Sequence, residues 1–98
     1  MFTDDLDSTI HQKTRLLIMS HLAAVGESEF LTIKNTLGLT DGNISIHSSI
    51  LEKSGYVECT KDFVGKKPRT TYRITPAGRE AFAKYVTALG EILKSAGG

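Results

Sequence analysis

The chain has one cysteine, two methionines, two prolines and no tryptophan in 98 residues. A single thiol, Cys59, excludes an intramolecular disulfide framework and fits a reducing compartment. Its plain reading is a small apolar side chain on a strand, with a redox-sensing thiol as the rarer alternative. No apolar run approaches the roughly 18–20 residues needed to cross a bilayer. The start, MFTDDLDST, is acidic and lacks the basic region of a secretory signal. A cytoplasmic protein with no membrane partner is expected. Catalytic signatures are missing as well. No serine sits in a G-x-S-x-G elbow and no glycine-rich phosphate loop follows a strand, so neither enzymatic activity nor a cofactor is expected. His11 and His21 stand ten residues apart, nearly three helical turns, and one helix cannot bring both to a single ion. His47 reads as a half-buried helix residue with one nitrogen satisfied. No metal site is expected.

A composition of 40% hydrophobic and 23% charged residues is that of a globular chain, and 98 residues allow one domain with one modest core. The net charge of +1 hides an uneven distribution. Lys61, Lys66, Lys67, Arg69 and Arg73 stand close together against one acid, Asp62, whereas the first seven residues hold Asp4, Asp5 and Asp7 and no base. A local basic segment on a near-neutral domain points to a polyanion touching one face.

Local patterns divide the chain without repeats or linkers. Asp7 and Ser8 are N-cap residue types, and the apolar spacing after them predicts a helix over 8–25, stopped by Gly26. A short strand over 27–30 leads to a helix over 31–37, which Gly38 ends with a left-handed cap. Thr40 caps a third helix that runs to residue 53 or 54 before Gly55. Residues 56–63 alternate as a strand, 64–68 form a turn with Gly65 and Pro68, and 70–75 return as a second strand. Thr75 and Pro76 open the last helix, with proline at a position where its missing N–H costs nothing. Leu17, Ile33, Leu37, Ile44, Leu51 and Ile74 are the expected core. The fold class is α+β, a winged helix-turn-helix with a three-helix core, a β-hairpin wing and a long C-terminal helix.

In a helix-turn-helix the second helix places its N-terminal side chains in the major groove of duplex DNA. Here that helix offers Thr40, Asp41, Gly42, Asn43, Ser45, Ile46 and Ser49. Asn43 suits bidentate pairing with adenine. The wing, with Lys61, Lys66, Lys67, Arg69 and Thr70, suits phosphate or minor-groove contact.

The residues carry a family resemblance at three places: L-T-D-G-N-I-S-x-H over 39–47, L-E-K-S-G-Y-V over 51–57 and K-P-R-T-T-Y-R-I-T-P-A-G-R over 67–79. Together they resemble winged-helix regulators related to the MarR and ArsR families, and most of all the short stand-alone type whose wing reads G-x-x-P-R-T-x-Y-x-L-T. The likeness runs from about Leu6 to Leu93. It implies a homodimer that binds DNA through the third helix and the wing, and so represses or activates genes. Two positions depart from the pattern. Ile46 stands where such proteins commonly carry a base, and Ile50 where they carry a polar residue. These isoleucines are expected either to touch thymine methyls or to pack against a neighbour, with packing favoured. The cysteine pair of ArsR-type metal sensors is absent, and no residue pattern identifies a small-molecule effector.

Ile10, Leu17, Phe82, Tyr85, Val86, Leu89, Ile92 and Leu93 form more apolar surface than one small core requires, so the helix over 76–94, with the first helix, is expected to form the dimer interface. A winged-helix module that binds a protein or an RNA without operator specificity is the competing reading. The isoleucines of the third helix favour it, and the basic wing opposes it.

Overall fold

The computed structural model describes residues 6–97; Asp4 and Asp5 of the acidic start and Gly98 lie outside the described residues. Among the described residues seven elements follow in order: α1 (Lys13–Val25), β1 (Glu27–Glu29), α2 (Phe30–Leu37), α3 (Asp41–Lys53), β2 (Val57–Val64), β3 (Lys67–Ile74) and α4 (Pro76–Ala96). The strands form one antiparallel sheet in the order β1-β3-β2. The winged helix-turn-helix architecture expected above is the one observed.

The helix expected from residue 8 begins at Lys13. The Asp7 carboxylate accepts the Thr9 amide at 2.8 Å and the Ile10 amide at 3.4 Å, which offers this stretch a turn in place of a helix. Gln12 is extended, and its side chain accepts from the Arg15 amide to cap α1. The turn has a consequence for packing, because it drives Ile10 into the core, where it is fully buried.

That core consists of Ile10, Ile18, Met19, Leu22, Ile33, Ile44, Leu51, Val57, Tyr72, Ile74 and Tyr85. Leu17, expected inside, is only half-buried, and Leu37 packs on the core's margin. In α1 the run Leu16-Leu17-Ile18-Met19 is apolar all round, so periodicity alone does not choose its inner face. The inward set is Thr14, Ile18, Met19 and Leu22, four residues at i, i+4, i+5 and i+8.

The hairpin turns more tightly than expected. Val64 pairs with Lys67, leaving Gly65 and Lys66 as a two-residue loop. Gly65 has φ +64°, the backbone such a loop needs. The second strand therefore starts at Lys67, not at residue 70, and includes Pro68. Before Thr71, β3 has only β2 as a neighbour, so Pro68 removes no ladder hydrogen bond on its open side.

The start of α4 is fastened to the start of β2. Thr75 accepts the Gly78 amide on its hydroxyl at 2.9 Å and donates that hydroxyl to the Gly55 carbonyl at 2.6 Å. Its amide donates to the Tyr56 carbonyl. Gly78 lies so close to this junction that a Cβ would stand 2.2 Å from the Tyr56 oxygen. Gly78→Ala should therefore cost about 1–3 kcal/mol in denaturant unfolding, the range of overpacking into a fixed backbone. Gly90→Ala, in the same helix with nothing within 4 Å, should instead stabilise by about 0.5–1 kcal/mol. Equal effects at the two positions would contradict this packing.

Candidate nucleic-acid interface

The turn between α2 and α3 is built from two complementary caps. Gly38 takes the left-handed conformation (φ 66°, ψ 37°) and returns its amide to the Lys34 carbonyl. Thr40 is extended, and its hydroxyl accepts the Asn43 amide at 3.1 Å. Lys34 and Asp41 bridge the turn at 2.7 Å. Asp41, placed by the sequence among the DNA contacts, is thus engaged by α2 and also complements the positive end of α3.

Ile44, Ser48 and Leu51 form the inner side of α3. Ser48 donates its hydroxyl to the Ile44 carbonyl, which satisfies the one buried polar group on that side. The other side looks out: Thr40, Gly42, Asn43, Ser45 and Ile46 are exposed, and Ser49 and Ile50 are half-buried. Ile46 does not pack within the chain. It is 62% exposed, because it lies opposite the three anchoring residues.

On the wing the cations divide into two groups. Asp62 faces Arg69 across the hairpin and accepts two hydrogen bonds from its guanidinium, at 3.0 and 2.8 Å. Glu29 on β1 adds a looser contact at 3.7 Å. The Arg69 hydrogen bonds hold the Asp62 carboxyl below its usual range. Arg73 pairs likewise with Glu58 at 2.5 Å. Lys61, Lys66 and Lys67 are exposed and make no ion pair among the described residues. The free charge of the wing therefore resides in three lysines, with Arg69 internally neutralised. Thr70 is half-buried beside them. A groove of about 450 Å³ separates the wing from the start of α2, lined by Phe30, Leu31, Val64, Lys67, Pro68 and Thr70 among others.

The reading of single residues missed a set of contacts that hold α1 and its leading turn in place. Arg15 reaches His47 on α3, with Nη1 and Nδ1 2.9 Å apart. A guanidinium only donates, so His47 Nδ1 accepts and the neutral ring carries its proton on Nε2. Tyr56 donates its hydroxyl to Asp7, and that bond, with burial, pushes the phenol up to about 12. His11 meets the Tyr85 hydroxyl at 2.7 Å, and His21 meets Ser28 at 3.0 Å. The three histidines thus serve three separate contacts. Among the described residues no three potential metal ligands come together. Burial pushes the Cys59 thiol up, with Glu52 adding to it, which opposes the reactive thiolate form.

The expected dimer surface is divided by burial. Ile10 and Tyr85 are 0% and 1% exposed within one chain, so they support the surface from beneath and are not part of it. Leu17, Phe82, Leu89 and Ile92 are half-buried. Val86 and Leu93 are 50% and 62% exposed. No helix among the described residues is long and apolar enough to cross a membrane.

A three-helix core with the turn between α2 and α3, a lysine-tipped hairpin and a capping fourth helix defines the winged-helix class of DNA-binding domain. The family model for the winged helix DNA-binding domain matches residues 14–93, and the chain belongs to that family. An uncharacterised protein of Methanocaldococcus jannaschii is 35% identical over 81 residues, covering 83% of this chain and 88% of its own. Among solved structures, a transcriptional regulator homologue from Pyrococcus horikoshii superposes with a TM-score of 0.88 at 28% identity, over 96% of this chain and 94% of the other. The fold alone is shared with NadR, solved in complex with 4-hydroxyphenylacetate, at a TM-score of 0.74 and 18% identity over 97% of this chain and 67% of NadR. It is shared likewise with the transcriptional repressor BigR from Xylella fastidiosa, at 0.66 and 23% identity over 91% and 85%. The resemblance to winged-helix regulators read from the sequence is therefore borne out, and the chain has the DNA-binding fold of transcriptional regulators.

Burial and the neighbouring Arg15 lower the His47 pKa from the ordinary 6.5. A base whose folded pKa is depressed binds its proton more readily when unfolded, so its contribution to stability is full above about pH 6.5 and is lost as pH falls through the lowered value. An NMR titration should place the His47 midpoint below 6.5, and Arg15→Ala should move it upward. A wild-type midpoint at or above the ordinary value would contradict the Arg15 contact.

Proposed function

We propose that the protein acts as a homodimer that binds duplex DNA at specific sites and thereby regulates transcription. The observation that carries this reading is the outward side of α3, where Asn43, Ser45, Ile46 and Ser49 are left over by the fold, together with a wing whose Lys61, Lys66 and Lys67 are not neutralised within the described residues. Lysines that meet phosphates release counterions and supply affinity for any sequence. Groups on α3 that meet base edges supply the choice among sequences.

One recognition helix with one wing buries about 600–1,000 Å², which gives limited discrimination. A two-fold pair reads half-sites about 34 Å apart and multiplies it. The exposed Val86 and Leu93 on α4, with the half-buried Leu89 between them, are the surface assigned to that axis. A patch of this kind buried once per subunit is counted twice across the axis.

A single duplex titration tests both parts. Log affinity should fall steeply with log salt, and replacing Lys66 and Lys67 by alanine should reduce the slope by up to about 2. At saturation the wild type should place two chains on each duplex, whereas Val86→Asp with Leu93→Asp should sediment as a folded monomer of weaker affinity. An unchanged slope in the lysine variant would remove the wing from the interface. A wild-type monomer that binds as one chain with undiminished selectivity would remove the dimer. The exposed Ile46 also suits a module that docks on a protein, and that reading gains if duplex affinity is weak and indifferent to salt.

A further inference from the structure

The outer side of α3 has a composition that the fold does not require. From Asp41 to Glu52 the helix contains no lysine or arginine, and Lys53, its final residue, is the first. Ile46 projects into solvent at 62% exposure, although Ile44, Ser48 and Leu51 already anchor the helix. One turn earlier on the same side stands Gly42, whose backbone is ordinary helix and whose would-be Cβ meets nothing within 4 Å. Alanine would suit the helix better there, so neither backbone geometry nor internal packing explains the glycine. An apolar side chain set out in water beside a bare stretch of backbone fits an external surface that comes close.

The occupant follows from the chemistry of base edges and from charge. Guanine is most often read by arginine or lysine at O6 and N7, thymine by apolar contact with its methyl group, and adenine by asparagine at N6 and N7. The α3 surface offers the second and third of these in Ile46 and Asn43, and lacks the first until its last residue. The attraction to phosphate comes from Lys61, Lys66 and Lys67 on the wing, which packs against α3 through β2. We infer that α3 selects A·T pairs in the major groove, with Ile46 packed on a thymine 5-methyl group, Asn43 paired to adenine, and Gly42 leaving room for the base edge. The inference rests on the DNA-binding reading above and names what that site reads.

The test uses duplexes enriched by the wild-type protein from a random pool. Each thymine of the enriched site is replaced in turn by deoxyuridine, which keeps the pairing and removes only the methyl. The expected site is rich in A·T pairs. At one position in each half-site the replacement should weaken wild-type binding about fourfold, the worth of one buried methyl. Ile46→Ala should bind the thymine duplex more weakly by at least that factor and should not distinguish thymine from uracil. Because Ile46 is exposed, this variant should keep the wild-type circular dichroism, so that a loss of binding is not a loss of fold. Enrichment of G·C pairs in the half-sites, or equal affinity for thymine and uracil at every position, would overturn the inference. Salt-sensitive duplex binding with no methyl effect removes this inference alone, whereas a wild type that binds no duplex at low salt removes the DNA reading with it.

Discussion

Three side chains hold α3 in the domain, and the rest of the site depends on how little of the helix they use. Ile44 and Leu51 are fully buried and Ser48 nearly so. Spaced at i, i+4 and i+7, they occupy one stripe of a helix that has 3.6 residues per turn. The serine enters the core without an unmet hydrogen-bonding group because its hydroxyl is taken by the Ile44 carbonyl one turn back. With the anchor confined to that stripe, Gly42, Ser45 and Ile46 are left exposed.

The anchor also explains why α3 keeps its direction. Its N-terminus is set by Thr40 and by the Lys34–Asp41 bridge, its middle by Arg15 through His47, and its C-terminal exit by the Tyr56 amide, which donates to the Leu51 carbonyl. Tyr56 in turn touches Asp7 in the leading turn, and its carbonyl receives Thr75 at the start of α4. Helix α3, the leading turn and the last helix therefore share a short chain of contacts, and α4 is not an independent appendage. The α4 surface proposed for dimerisation therefore belongs to the same framework that orients α3.

Much of this was legible in the residues. Gly38, Thr40, Gly55 and Thr75-Pro76 punctuate the chain through backbone chemistry, and the helices and strands they bound are observed. What escaped the reading has specific causes. Asp7 looked like a helix cap but folds its own turn, which carried Ile10 from an expected interface into the core. In α1 four successive apolar residues erase the periodic signal, so Leu17 was preferred over Ile18 and Leu22. The wing shows an inference that was available. A two-residue loop at Gly65-Lys66 sets Val64 opposite Lys67, and counting back places Asp62 opposite Arg69 and Glu58 opposite Arg73. The longer expected loop hid those ion pairs. The solvent exposure of Ile46 could not be settled by pattern, since an isoleucine on a helix is equally consistent with a neighbour that packs on it.

The central claim is that α3 and the wing form one surface for duplex DNA. Amide chemical-shift mapping during titration with a duplex enriched from the random pool addresses it directly. The account predicts the largest shifts at Thr40, Gly42, Asn43, Ser45, Ile46 and Ser49 on α3 and at Lys61, Lys66 and Lys67 on the wing, with the α4 positions Val86 and Leu93 little changed. Shifts concentrated on α4, with α3 and the wing unmoved, would contradict it.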